Sequence, residues 1–173
     1  MDERTIALRL TLAALLGAAL GLEREVRGQD AGLRTHILVS LGACCFTLAS
    51  VFIEVPLAVG GAPDGTRGDI SRIASQVVVG IGFLGAGVIL RHGGQVRGLT
   101  TAANLWLTAS VGLACGLGFF AAAGFTMAIA MLCLTGLRPI ERAIHRYRVR
   151  RGLQPDKDIA GSHPPELPSR DED

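Results

Sequence analysis

LTTAANLWLTASVGLACGLGFFAAAGFTMAIAMLCLTGL, residues 99–137, runs for 39 residues without a formal charge, between Arg97 and Arg138. As one helix rising 1.5 Å per residue it would reach roughly 58 Å. The hydrocarbon core of a bilayer is about 30 Å thick. The run must therefore fold back once, and Gly116-Leu117-Gly118 is where a helix is most easily ended. Three more apolar runs stand upstream. Residues 6–22 are interrupted only by Arg9, 37–53 end at Glu54 and Pro56, and 73–90 are closed by Arg91. The expectation is an all-α polytopic membrane helix bundle of about five transmembrane helices.

Composition points the same way. Of 173 residues, 49% are hydrophobic but only 5% aromatic and 18% charged, and 23 are glycine. Many small side chains and few bulky ones suit helices packed backbone to backbone in lipid. These figures argue against a disordered chain and a disulfide scaffold. The net charge of +2 is too small to imply a nucleic-acid partner. Cys44, Cys45, Cys115 and Cys133 have no metal or redox spacing and read as buried small side chains. The mixed-charge start Asp2-Glu3-Arg4 argues against a cleaved signal.

Arginine sets the orientation, because cytoplasmic loops carry the positive excess. Segment 23–36 has Arg24, Arg27 and Arg34, and segment 91–98 has Arg91 and Arg97. After Leu137 come Arg138, Arg142, Arg146, Arg148, Arg150 and Arg151. The alternate segments hold Arg4, Arg9, Arg67 and Arg72. Eleven against four places the first three segments, and the C-terminus, in the cytoplasm. Residues 1–140 read as the transmembrane domain, and 141–173 as a basic juxtamembrane segment with a disordered cytoplasmic tail. Within 138–153 a basic interfacial helix starts, and anionic lipid favours each surface Arg by about 1 kcal/mol. Membrane lipid is thus one expected partner. Residues 55–69, with Pro56, Gly60, Gly61, Pro63 and Gly65, read as an external loop.

The third run holds Gly80, Gly82, Gly85 and Gly87. Gly80 to Gly85 matches GxGxxG, but a dinucleotide site needs a preceding strand and an acidic residue about 20 positions on. Neither is present. Two readings stay open: close helix packing, or a helix break beside an ion or substrate site. Gly17 with Gly21 and Gly112 with Gly116 form GxxxG pairs, which suit either packing inside the bundle or a homo-oligomer. Asp69, Arg72 and Gln76 fall on one helical face. Asp69 either pairs with Arg72 or stands as the metal candidate, collecting Mg²⁺ at a water-filled mouth. Asn104 with Thr100 and Thr108 makes a polar stripe suited to interhelical hydrogen bonds. His36 reads as an interface residue, next to Thr35. Glu23 and Glu25 point to different sides of a helix, so no acid–base pair forms there. No nucleophile stands at usable spacing from a base, so neither an enzyme nor a cofactor is expected.

Three stretches together resemble a known family. The first is Gly21-Leu-Glu23-Arg24-Glu25, then Gly32-Leu-Arg34-Thr35-His36-Ile-Leu-Val39 and Gly42. The second is Arg72-Ile-Ala-Ser-Gln76-Val-Val-Val-Gly80-Ile-Gly82-Phe-Leu-Gly85-Ala-Gly87-Val-Ile-Leu90. The third is Val96-Arg97-Gly98-Leu99-Thr100-Thr101-Ala102-Ala103, then Asn104, Trp106 and Gly112. In this order they resemble the MgtC/SapB family of bacterial inner-membrane proteins, over roughly three quarters of the chain. The resemblance implies an inner-membrane protein of magnesium homeostasis, in a family linked to virulence. It implies either divalent-cation transport or a regulator that binds another membrane protein, such as an ATP synthase or a transporter. Mg²⁺ enters as a transported or sensed ion.

There are two departures. Many members carry an ACT-like domain after the last span, and too few residues follow Leu137 here for one. Position 79 is Val where the family pattern resembles a small polar residue. No Asp or Glu occurs from Ile70 through Leu137. Stripping Mg²⁺ of its waters needs strong oxygen ligands, so this shortage favours the regulator.

Overall fold

The computed structural model describes residues 1–57, 71–92 and 95–150. Asp69, most of the 55–69 segment and the tail from residue 151 lie outside the described residues. Six helices follow one another: α1 (Glu3–Val26), α2 (Leu33–Leu57), α3 (Ser71–Val88), α4 (Leu99–Leu117), α5 (Phe120–Gly136) and α6 (Arg138–Arg150). The all-α bundle expected from the apolar runs is the observed fold. Between α3 and α4 lies a short addition, an antiparallel hairpin of β1 (Leu90–His92) and β2 (Gln95–Arg97).

Among the described residues, three helical segments are long and apolar enough to cross a membrane: Glu3–Val26, Leu33–Phe52 and Phe120–Arg150. Ser75–Val88 is a shorter apolar helix. α2 continues past Glu54 and Pro56 to Leu57, so residues 55–57 belong to the helix rather than to a loop.

The long uncharged run folds back where expected. Gly118 adopts φ +84, the left-handed conformation that glycine enters without a Cβ clash. The Gly118 amide donates to Cys115 O at 3.0 Å and the Phe119 amide to Ala114 O at 2.8 Å. This pair of bonds ends α4 as a Schellman motif and starts α5 almost at once.

α4 is the hub, touching α1, α2, α3 and α5. Nine of its nineteen residues are buried. One apolar cluster joins Ala13 and Leu20 of α1, Cys44 and Leu48 of α2, Val111 and Cys115 of α4, and Ala123 and Met127 of α5. A second joins Ala43, Ile81, Leu105 and Ala109 across α2, α3 and α4.

Both GxxxG pairs close onto α2. A Cβ on Gly17 would stand 2.7 Å from His36 O, and one on Gly21 would stand 2.8 Å from Leu33 Cα. A Cβ on Gly116 would stand 2.6 Å from Thr47 Cβ, and one on Gly112 would run into Ser40 O. α2 is thus clasped between the glycine faces of α1 and α4, with Ser40 at the centre. Ser40 Oγ also donates to Ala13 O at 2.8 Å. These faces are filled from within the chain, so a contact between copies would need another surface.

The glycines of α3 behave otherwise. The helix runs unbroken from Ser71 to Val88, without the break that was one of the two open readings. Close packing is absent too: a Cβ on Gly80, Gly82 or Gly87 would meet nothing within 4 Å. Gly85 alone reaches ordinary contact, with Ala102 Cβ at 3.7 Å. α3 rests on the bundle through Val77, Ile81 and Val88 and leaves Gly80, Gly82 and Gly87 open.

Candidate functional site

Polar groups gather at the end of the bundle where α1 finishes and α2 and α4 begin. Arg24, in the last turn of α1, is only 5% exposed. Its Nη2 donates to Thr101 Oγ1 on α4 at 3.0 Å and to Gln29 Oε1 at 2.8 Å. Glu23 is ion-paired to Arg27 one turn on, and Arg27 Nη1 donates to Leu134 O of α5 at 3.2 Å. Glu25, on the other side of α1, accepts from the Leu33 amide at 2.9 Å. It thereby satisfies a free N–H at the start of α2, where a carboxylate is favoured by the helix dipole. A buried charge is tolerated only when paired or hydrogen-bonded. Here two acids and two arginines lie within five residues, and each contacts a different partner.

His36 is fully buried between α1 and α2. Its Nδ1 bonds Gly32 O at 2.8 Å, while Nε2 has no hydrogen-bond partner. Asn104 is 6% exposed and its Nδ2 is likewise unpartnered. The stripe expected from Thr100, Asn104 and Thr108 is corrected in two ways. Thr100 is exposed, and the inward hydroxyl is Thr101. Thr108 donates to Asn104 O of its own helix at 2.7 Å rather than across helices.

At the opposite end, Arg9 reaches into the α4–α5 turn. Its Nη1 donates to Gly116 O at 2.6 Å, and its guanidinium lies against Gly118. These bonds fix the relative placement of the arginine-rich segments. The α1–α2 connection, the start of α4 and the end of α5 share one end, while Arg9 marks the other.

A cleft of about 920 Å³ opens between α2, α3 and α4. Leu38, Gly42 and Phe46 of α2 face Gln76, Gly80 and Leu84 of α3 across it, with Ala109 of α4 among its lining. Gly42 and Gly80 are both open, so a helix could approach either wall closely.

Arg34, Thr35, Arg97 and Trp106 are exposed. Arg72 lies in the first turn of α3, and Asp69, the metal candidate, lies outside the described residues. Among the described residues no group of three or more His, Cys, Asp or Glu is arranged to hold a metal ion. Two cysteines correct the expectation: Cys44 and Cys115 are buried, but Cys45 and Cys133 are exposed.

The MgtC family model matches residues 10–143, most of the chain. The chain belongs to the MgtC family. It is 47% identical over 137 residues to "Protein MgtC" of Salmonella typhimurium, covering 77% of this chain and 54% of that protein. It is 44% identical over 147 residues to an uncharacterised protein of Synechocystis sp., covering 84% and 57%. A third relative, "Putative magnesium transporter YhiD" of Escherichia coli K12, is 44% identical over 113 residues, covering 65% and 51%. The chain spans about half the length of these curated relatives. No solved structure gives a significant match. The match takes in α2 to α5 whole, α1 from residue 10 and α6 only as far as residue 143, so the Arg24–Thr101 pair and the α2–α3 cleft both lie on family ground.

Sequence reasoning missed three features. These are the Arg24–Thr101 latch, the reach of Arg9 into the α4–α5 turn, and the Glu25 cap of α2. Only the last had a local sign, a carboxylate eight residues before the first amide of the next helix.

Proposed function

We propose that this chain is a multi-pass protein of the bacterial inner membrane that serves magnesium homeostasis by acting on another membrane protein. The arginine-rich end of the bundle, with the C-terminus, faces the cytoplasm. The magnesium link rests on the family and on the name carried by the YhiD relative.

The observation that carries the regulator reading is the contrast between the closed and open surfaces of the bundle. Among the described residues the buried carboxylate of the interior, Glu23, is already paired to Arg27, while Arg24 and the Asn104 amide present N–H groups, which do not bind a dication. Mg²⁺ requires oxygen ligands in near-octahedral array. The open surface, by contrast, is an apolar cleft with a glycine on each wall. In lipid, small residues at a surface let a second helix pack closely. The proposed occupant is a transmembrane helix of the regulated protein. Transport is the second reading; Gln76 on the cleft wall and Asp69 seven residues before it are the groups it would use.

The test is Gly80→Leu in a strain lacking the native protein, grown at limiting magnesium. A Cβ at this position meets nothing within 4 Å in the chain itself. Normal protein level and thermal stability with lost growth support helix docking at the cleft. Full growth from Gly80→Leu, and from Gly42→Leu, refutes it.

A further inference from the structure

We infer that α6 is an anionic-lipid-binding arm that lies flat on the membrane surface. This stands apart from the magnesium reading and holds whether or not the cleft takes a partner.

The argument begins with length. α5 has 17 residues, about 26 Å of helix, close to the hydrocarbon thickness. α6 therefore starts at the level of the lipid headgroups. The chain bends at Leu137, the single residue between α5 and α6. Pro139 follows, and a proline has no amide to bond back into the preceding turn. Such a site is a regular cause of helix bending. Leu137 itself is helical, and the missing Pro139 amide makes this junction the point where α6 can tilt away from the axis of α5 at the membrane surface.

The faces of α6 then decide its surroundings. Leu137, Ile140, Ile144 and Tyr147 recur at three- and four-residue spacing, which lines them along one face. Each is about half exposed, and α6 buries no residue against the bundle. In water this would be an exposed apolar stripe. Its 13 residues also carry five arginines against one acid, Glu141. Arg142 and Arg146 fall opposite the apolar stripe, and Arg150 and Arg148 flank it on its two sides. An apolar stripe backed by arginines, starting where the hydrocarbon ends, fits an interfacial helix. The charge complement is the negative headgroup layer of the same membrane rather than a separate acidic protein, because α6 is already held at that layer by α5.

The test uses the full chain in nanodiscs, either of phosphatidylcholine alone or with phosphatidylglycerol added. Hydrogen exchange of residues 138–150 is read by mass spectrometry. The expected result is slower exchange in the anionic discs, by about fivefold for each engaged arginine. Arg142→Gln, Arg146→Gln and Arg150→Gln together remove the difference, while exchange in α4 is unchanged. Ile140→Asn with Ile144→Asn also removes the protection. Equal exchange in both discs overturns the proposal. So does protection that survives the triple arginine change, or protection that arises only when an acidic protein is added.

Discussion

Replacing Gly116 with alanine adds one methyl group at the α2–α4 contact. An ideal Cβ there stands 2.6 Å from Thr47 Cβ and 2.9 Å from Cys44 O. Carbon atoms in good contact are about 3.5–4.0 Å apart. The two helices must therefore part by roughly 1 Å, since Cys44 O is backbone and cannot rotate away. A gap of that size forfeits a quarter to a half of the contact energy of the atoms it separates. Those atoms include Cys44, Leu48, Val111 and Cys115 of the main core cluster. Overpacking of this kind costs about 1–3 kcal/mol. At roughly 2–4 °C per kcal/mol, the loss is readily measured. The assay is thermal unfolding in one detergent, followed by circular dichroism. Gly80→Ala is the internal control. It meets nothing, and removing a mid-helix glycine gains up to about 1 kcal/mol. The account expects Gly116→Ala to melt well below the parent and Gly80→Ala at or above it. Equal melting of Gly116→Ala and the parent refutes the packing argument.

Other outcomes follow from the arginine-rich end. A double-mutant cycle of Arg24→Gln and Thr101→Val should return a coupling of about 0.5–3 kcal/mol, read from chemical unfolding; zero coupling removes the latch. Glu25→Ala should cost about 1 kcal/mol, as the loss of other helix caps does, and should speed hydrogen exchange at Leu33. N-ethylmaleimide on the folded protein in mild detergent should leave the buried Cys44 and Cys115 unmodified until denaturation, as mass spectrometry would count.

The helices were legible because charge is so costly in lipid that its absence marks a span. The same costs located the α4–α5 turn, where length forced a reversal and Gly116 and Gly118 offered it. The hub role of α4 was not legible. In a run apolar on all sides, periodicity does not tell a buried face from a lipid-facing one. Glycine was ambiguous for a related reason. Gly112 and Gly80 look alike in sequence, yet one is closed by Ser40 and the other is open, because the difference lies in the neighbouring helix. Arg9 reads as an interruption until its partner 107 residues away is known. Thr101 was part of a recognised motif, but its pairing with Arg24 spans 77 residues. The β1–β2 hairpin had a sign that passed unused, the dipeptide Gly93-Gly94 between two short segments.

The most direct test of the regulator reading is Mg²⁺ uptake by proteoliposomes that hold only this purified chain, under an imposed gradient. The account predicts uptake equal to that of protein-free liposomes, with the protein folded by circular dichroism. Uptake that scales with the amount of protein and disappears in Asp69→Asn would contradict it and make the chain a transporter.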